Sequence, residues 1–230
     1  MAKQKVYVNL YIGALCLGIL FTSFSPVVSH QELKSLISEL KGKNKTIPDN
    51  QLIQKSLRGY FLLKQQDKIR NSIITIIDFR SPSTIKRMWV INVKTRKLLF
   101  HSLVAHGKNS GGKYAKKFSN IPGSLQSSLG FYITGKTYLG KHGVSLYLHG
   151  LEKGFNDNAK KRAIVMHGAS YVSNSFIQQY GRLGRSFGCP AIPLGNHEKI
   201  INTIKGGSCL FIYYPEKEYE KRSKYISNKS

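Results

Sequence analysis

Short apolar segments rich in β-branched and aromatic residues recur beyond residue 70, and they constrain the fold more than any other feature. Each segment is bounded by Pro, Ser, Asn or Gly, as strands are. They occupy residues 73–77, 87–93, 97–105, 130–134, 144–149, 162–167 and 208–214. This series predicts a mainly β fold, with a hairpin at Thr95-Arg96. The Gly-, Ser-, Asn- and Lys-rich stretch 107–129 predicts a long surface loop.

The part of the chain before the strands has helical periodicity. Leu33, Leu36 and Leu40 share one face of a first predicted helix, and Leu52 to Leu62 supply the apolar face of a second. A short amphipathic helix is predicted within 172–180. The lysine-rich end predicts a solvated or frayed tail. The resulting organisation is an N-terminal segment at 1–29, a helical segment at 30–70, a β-rich domain at 71–215 and a basic tail at 216–230.

The N-terminus has the pattern of a secretory signal. Lys3 and Lys5 precede an apolar run at 6–21, which small and polar residues follow. Val27 and Ser29 fit the −3 and −1 positions of a cleavage site. Retention as a membrane anchor stays open, because the run is only slightly shorter than the roughly 20 residues that span a bilayer. We therefore expect export to the periplasm or cell envelope, with membrane association through the N-terminus as an alternative.

The charge narrows the class of partner. The chain has 36 Lys and Arg against 11 Asp and Glu, a formal net charge of +25. Such a field attracts nucleic acid, acidic lipids or anionic wall polymers. The basic residues are spread from Lys34 to Lys229 and form no separate arm. Together with the export signal, this distribution predicts no nucleic-acid partner.

One histidine and one cysteine lie in glycine-bearing turns, 22 residues apart. His167 follows an apolar strand and precedes Gly168, and Cys189 lies in the turn Ser186-Phe-Gly-Cys-Pro190. Because the thiolate is the reactive form of cysteine, a nearby imidazole is a common activator. We predict that Cys189 is a nucleophile and His167 its base, with backbone N–H groups near Gly188 and Cys189 forming an oxyanion hole.

The remaining cysteines and histidines have simpler interpretations. Cys209 lies in an apolar run and is predicted to be a buried strand residue, although a disulfide with Cys189 is an alternative that would consume the nucleophile. The other histidines lack zinc-site spacing, so no metal or other cofactor is expected. His149 precedes Gly150 at a strand end, as His167 precedes Gly168, and is a candidate to line the same cleft.

The order of these motifs resembles a known family. His167-Gly168 followed by S-x-G-C at 186–189 is similar to the signature of the YkuD-type L,D-transpeptidases of bacterial cell-wall synthesis. An ordered series of segments resembles the murein L,D-transpeptidase catalytic-domain family across roughly residues 70 to 195. These segments are 81–83, 87–91, 104–112, 119–131, 140–143, 148–152 and 154–157. The resemblance implies a β-sandwich or barrel-like catalytic fold.

The resemblance also implies a reaction. Cys189 would attack the carbonyl of the third residue of a peptidoglycan stem tetrapeptide and expel D-alanine, with the Gly168 carbonyl orienting His167 and with Ser186 and Gly188 shaping the pocket. Transfer of the acyl group to an amine would make a cross-link, and transfer to water would make the enzyme an L,D-carboxypeptidase. Two further hypotheses stay open: a wall-linked protein as acceptor or hydrolysed substrate, and a non-catalytic wall-binding module.

Two positions depart from the commoner family pattern, which has histidine before the Gly-Cys pair and arginine shortly after it. Phe187 and the segment 190–192 occupy those places, so we expect a more apolar pocket with no assigned anchor for the substrate. Arg182 and Arg185 are candidates to bind a stem carboxylate by bidentate pairing. Tyr171 is a candidate to cover the pocket.

Overall fold

The computed structural model describes residues 28–227. Most of the predicted signal segment and the last three residues lie outside this range. Within 28–227, no helix has both the length and the apolar character needed to cross a membrane.

In the described part of the chain, eight strands form one sheet. They are β1 (Ile73–Asp78), β2 (Met88–Asn92), β3 (Lys97–Ser102), β4 (Gly130–Gly140), β5 (Gly143–Gly150), β6 (Val165–Ala169), β7 (Ala191–Pro193) and β8 (Cys209–Tyr213), in the spatial order β3-β2-β1-β8-β4-β5-β6-β7. Ala105, just beyond β3, exchanges backbone hydrogen bonds of 2.8 and 3.4 Å with Ala191 of β7. This bridge joins the two ends of the sheet into a nearly closed barrel, so the predicted mainly β, barrel-like fold class is confirmed.

Within 28–227, five α-helices accompany the sheet: α1 (His30–Lys43), α2 (Asn50–Gln65), α3 (Asn174–Tyr180), α4 (His197–Ile204) and α5 (Lys217–Arg222). A capping box starts α1, where Ser29 accepts from the Glu32 N–H and the Glu32 carboxylate accepts from the Ser29 N–H. The N-terminal helices share the hydrophobic core of the sheet. A Cβ atom at Gly59 of α2 would lie 2.1 Å from the Phe131 ring of β4, so only glycine permits this close packing.

The structure confirms the hairpin between β2 and β3 and extends β4 beyond its predicted length. Arg96 has a positive φ of 56°, as a tight turn requires. A bulge between Thr134 and Thr137 shifts the register of β4 against β5. The bulge interrupts the alternation of apolar residues along β4, and the predicted strand ended at this point. The observed strand continues beyond the bulge.

The prediction of a solvated or frayed C-terminal tail is wrong for the described residues up to 227. Tyr219 and Tyr225 are fully buried, and Ile226 is nearly so. The lysines gave this segment a polar composition, although apolar residues lie between them. The C-terminal segment therefore packs on the core.

A buried carboxylate fixes the C-terminal segment to the sheet. Glu152 accepts from the Phe131 N–H at 2.7 Å, from the Tyr219 hydroxyl at 3.0 Å and from the Ser223 hydroxyl. Burial raises the pKa of Glu152, and the Ser223, Phe131 and Tyr219 donors oppose that rise. Loss of the carboxylate would leave three buried donors without this acceptor.

We predict that Glu152→Ala lowers the free energy of unfolding by about 2–5 kcal/mol, because buried donors would lose their partner and a cavity would form. Urea denaturation followed by circular dichroism measures the change. Glu198→Ala, on an exposed face of α4, is the control and should change it by less than about 0.5–1 kcal/mol. Equal stability of the Glu152 variant and the wild type would contradict this role.

Candidate active site

A parallel strand pair brings the predicted nucleophile and base together. His167 of β6 lies opposite Ala191 of β7, and Cys189 precedes β7 by two residues. The chain between them forms α3, which Ser173 caps at its start and Gly181, with φ of 66°, ends in the left-handed conformation. This confirms the predicted short helix between the two residues.

The imidazole of His167 is oriented by its neighbour's backbone. Its Nδ1 lies 2.9 Å from the Gly168 carbonyl oxygen. Since a carbonyl oxygen can only accept, Nδ1 carries the proton and Nε2 of the neutral ring is the basic atom. Burial lowers the pKa of His167, and His142, Lys141 and His197 lower it further, whereas the Gly168 carbonyl opposes the fall. The ring is therefore neutral and able to accept a proton at pH 7.

Two further histidines pack around His167, and the sequence analysis assigned neither to the site. The His142 ring, in the β4–β5 turn, stacks on the His167 ring with centroids 4.5 Å apart. His197, the first residue of α4, packs under Gly168, where a Cβ atom would lie 2.6 Å from its ring. Gly168 therefore contributes its carbonyl oxygen and also the space that His197 needs.

The thiol of Cys189 lies against the backbone that leads into β6. Its Sγ is 3.4 Å from the Val165 nitrogen and 3.7 Å from the Ala163 carbonyl oxygen. Burial raises the pKa of the Cys189 thiol, while the Val165 N–H and Arg162 oppose the rise. Within residues 28–227 the thiol makes no hydrogen bond to His167.

The turn that carries Cys189 is held by its own serine. The Ser186 hydroxyl accepts from the Gly188 N–H at 3.1 Å and donates to the Cys189 carbonyl at 2.6 Å. The Gly188 N–H is therefore occupied in this conformation. The Cys189 N–H has no acceptor among the described residues, so it is the available donor of the predicted oxyanion pair.

The long loop 107–129 packs against this turn and supports it through hydrogen bonds. It contains no strand of the sheet, but several of its residues are buried. Ser127 donates its hydroxyl to the Gly188 carbonyl and accepts from the Gly107 N–H. Lys108 donates its backbone N–H to the Ser186 carbonyl. The predicted long loop is therefore present, and most of its residues are exposed or half-buried. Its buried residues also support the turn that carries Cys189, which the prediction of a surface loop did not include.

Arg162 is the charged residue that the sequence analysis missed. Its guanidinium donates to the carbonyls of Ser119 and Gln126 at 2.6 Å each, and to the Ser124 and Ser128 hydroxyls. It lies close enough to the Cys189 thiol to favour the thiolate. An arginine at the start of an apolar strand was the available signal, but its long-range partners are visible only in the fold.

The other predicted pocket residues have different environments in the structure. Phe187, two residues before Cys189, is 69% exposed. Tyr171 packs against Gly184, and burial together with the nearby Cys189 raises the pKa of its hydroxyl to about 12. Arg182 donates to the Leu183 carbonyl, and Arg185 donates to the carbonyls of Lys108 and Gly111.

His149 does not lie beside His167. Ser145 of β5 is the residue paired with His167, and His149 lies four positions further along, opposite Ile133. At about 3.3 Å per residue, the offset from Ser145 is about 13 Å. The repeated His-Gly dipeptide gave no information on strand register, so it could not predict this offset. His149 lies an even number of residues from Ser145 and therefore faces the same side of β5 as Ser145.

Other features lie apart from the thiol. Cys209 is a fully buried residue of β8 with a free thiol, as predicted, and Cys189 is also free. Within 28–227, no group of three or more His, Cys, Asp or Glu residues is arranged to hold a metal ion. A groove of about 930 Å³ lies between α1, α2 and the C-terminal segment, and none of its lining residues is a candidate site residue.

Comparison with known proteins identifies one family. The model of the L,D-transpeptidase catalytic domain matches residues 43–213. No curated protein sequence matches the chain.

Solved structures show weak similarity. An L,D-transpeptidase from Mycobacterium smegmatis is 11% identical, with 63% of this chain and 59% of that one covered and a TM-score of 0.38. An L,D-transpeptidase from Stackebrandtia nassauensis is 12% identical, with coverages of 80% and 76% and a TM-score of 0.37. The chain thus spans about three fifths of the length of the mycobacterial protein.

We predict that Gly188→Ala disrupts the nucleophile turn. Gly188 has φ of 125°, and a Cβ atom would lie 2.8 Å from the Gln126 carbonyl oxygen. The strain should lower the free energy of unfolding by about 1–3 kcal/mol, as measured by urea denaturation. Gly195→Ala is the matched control, because a Cβ atom there meets nothing within 4 Å. Similar stabilities for both variants would contradict the proposed constraint.

The raised pKa of Cys189 predicts slow alkylation at neutral pH. Because the thiolate is the form that reacts, the rate with iodoacetamide should increase with pH through a midpoint above the ordinary thiol value of about 8.5. Mass spectrometry of the Cys189 peptide over a pH series measures this rate. A midpoint below pH 7 would show that the unliganded site already stabilises the thiolate.

Proposed function

Because this chain belongs to the L,D-transpeptidase catalytic-domain family, we propose that it is a peptidoglycan L,D-transpeptidase with Cys189 as nucleophile and His167 as base. The observation that carries this proposal is the hydrogen bond from His167 Nδ1 to the Gly168 carbonyl. It leaves the basic Nε2 of a neutral imidazole on the strand next to the turn that carries the thiol.

The first half-reaction forms a thioester. The Cys189 thiol gives its proton to His167 Nε2, and the sulfur attacks the carbonyl carbon of the third stem residue. The Cys189 N–H, free of other acceptors among the described residues, donates to the oxyanion. When the tetrahedral intermediate collapses, the C–N bond to D-alanine breaks and the imidazolium protonates the leaving amine.

The second half-reaction consumes the thioester. An amine from a neighbouring stem gives a proton to His167 Nε2 and attacks the acyl carbon, which forms the cross-link as the C–S bond breaks. The imidazolium then returns the proton to the Cys189 sulfur. Water in place of the amine would yield the L,D-carboxypeptidase product. Phe187, an exposed residue of the Cys189 turn, is assigned an apolar contact with the acyl group.

Two arginines are suited to bind a stem-peptide carboxylate. Arg182 and Arg185 donate only to backbone carbonyls in the described hydrogen bonds, and neither forms an ion pair with a described carboxylate. Each retains guanidinium N–H groups for bidentate pairing. We assign substrate anchoring to this pair.

Export to the cell envelope belongs to the same proposal. A basic protein of net charge +25 is attracted to anionic wall polymers. Ser29 caps α1, so cleavage directly after Ser29 would remove that cap. Either cleavage upstream of Ser29 or retention of the N-terminal segment keeps the capping box intact.

We predict that the purified protein releases D-alanine from disaccharide tetrapeptide and that Cys189→Ala reduces release by at least about 10³-fold, because the acyl-enzyme can no longer form. Free D-alanine and cross-linked dimers are measured by liquid chromatography with mass spectrometry. Accumulation of tripeptide without dimers would assign carboxypeptidase activity instead.

Cys209→Ala is the matched cysteine control, because this buried β8 residue is remote from the proposed chemistry. Mass spectrometry should find the acyl adduct on Cys189 in the Cys209→Ala variant and none in the Cys189→Ala variant. D-alanine release that survives Cys189→Ala would overturn the mechanism. A folded wild-type protein that forms no adduct with the donor would instead favour a non-catalytic wall-binding module.

A further inference from the structure

Two tyrosines form an exposed stacked pair on the β4–β5 hairpin. The rings of Tyr138 and Tyr147 have centroids 4.6 Å apart and planes 24° apart. They are 36% and 45% exposed. Stacked aromatic rings usually belong to a core, so a pair held together at the surface provides a preformed apolar platform. We refer to Tyr138 and Tyr147 as the tyrosine platform.

Strand register places the tyrosine platform on the same face of the sheet as His167. Tyr138 pairs with Ser145, and Ser145 pairs with His167 on its other side. Tyr147, two residues beyond Ser145, pairs with Val165. Directly paired residues share a face, as do residues two apart on a strand. The tyrosine platform is therefore a lateral continuation of the surface that carries the base.

The hairpin is shaped to hold these rings in place. A Cβ atom at Gly140 would lie 2.8 Å from the Tyr138 ring. A Cβ atom at Gly135, in the β4 bulge, would lie 3.0 Å from the Tyr147 Cβ and 2.6 Å from His149 Nε2. Glycines at both positions thus make room for Tyr138, Tyr147 and His149. The opposite face of β5 carries two leucines that are buried in the core, Leu146 and Leu148.

The separation between the tyrosine platform and the reacting groups matches the length of a stem peptide. Neighbouring strands lie about 4.8 Å apart, and Cys189 leads into β7, two strands from Tyr147 of β5. Tyr147 pairs with Val165, whose backbone N–H contacts the Cys189 sulfur, so the backbone at Tyr147 is about 10 Å from the Cys189 strand. The first two residues of a stem, together with the linker to its sugar, span a similar distance at about 3.3–3.6 Å per residue. With the third-residue carbonyl at Cys189, the sugar would reach the hairpin.

We propose that the tyrosine platform binds a pyranose ring of the glycan that carries the donor stem peptide. One face of such a ring presents C–H groups, whose positive polarisation is attracted to the negative face of an aromatic ring. The exposed His149 at the edge of the platform is placed to form a hydrogen bond with a sugar hydroxyl. This assignment rests on the proposed function, because it takes the donor to be peptidoglycan.

The test compares two donors in the full-length protein: a disaccharide tetrapeptide and the same tetrapeptide without sugar. For the wild type, kcat/KM for D-alanine release should be higher with the disaccharide donor. Tyr147→Ala should reduce the ratio of the two kcat/KM values by about fivefold to tenfold, mainly through the KM of the disaccharide donor. Tyr147→Phe, which keeps the ring, should retain the wild-type ratio.

Leu139→Ala is the matched control on the same hairpin. Leu139 is 83% exposed but pairs with Val144, so it lies on the opposite face from the tyrosine platform. This variant should also retain the wild-type ratio. Thermal unfolding of each variant establishes that it is folded.

The outcomes separate the glycan assignment from the proposed function. If both donors are used equally well by the wild type, or if Tyr147→Ala lowers kcat/KM for both donors by the same factor, the tyrosine platform does not bind the sugar and the glycan assignment is overturned. An equal loss would instead indicate a peptide-binding role. If neither donor releases D-alanine with the folded wild-type protein, the proposed function itself fails.

Discussion

The parallel pairing of β6 with β7 is the interaction on which the site depends. It sets His167 opposite Ala191 and brings the Cys189 turn beside the start of β6. The same short strand β7 also bonds to Ala105, which closes the barrel. Because one three-residue strand serves both purposes, the same pairing closes the sheet and places the Cys189 turn beside the strand that carries His167.

The resting site is organised around a protonated thiol and a neutral imidazole. Burial raises the pKa of Cys189 and lowers that of His167, so both groups favour their uncharged forms. Arg162 and the Val165 N–H act in the opposite direction at the sulfur. Loop 107–129 supports the backbone of the Cys189 turn through Ser127 and Lys108.

Sequence periodicity predicted the elements whose apolar pattern is uninterrupted, such as β1, β2 and β8. It stopped short in β4, where the bulge disturbs the alternation, and it missed α4, although Ile200, Ile201 and Ile204 have helical spacing. The C-terminal segment was assigned to solvent because its lysines outnumber its buried tyrosines. In each case, contacts made across the fold outweighed the local composition.

The groups that we propose to react could be named from the sequence, because the chemistry of a thiol and an imidazole belongs to the side chains. The ordered series of motifs likewise pointed to the family. Which residues surround the two groups depends on the fold: Arg162 lies near the thiol, His142 stacks on the imidazole, and His149 lies away from both. Strand register and loop packing set these neighbours, since a shift of one residue moves a side chain to the other face of a sheet. Residues distant in sequence become neighbours only when the barrel closes.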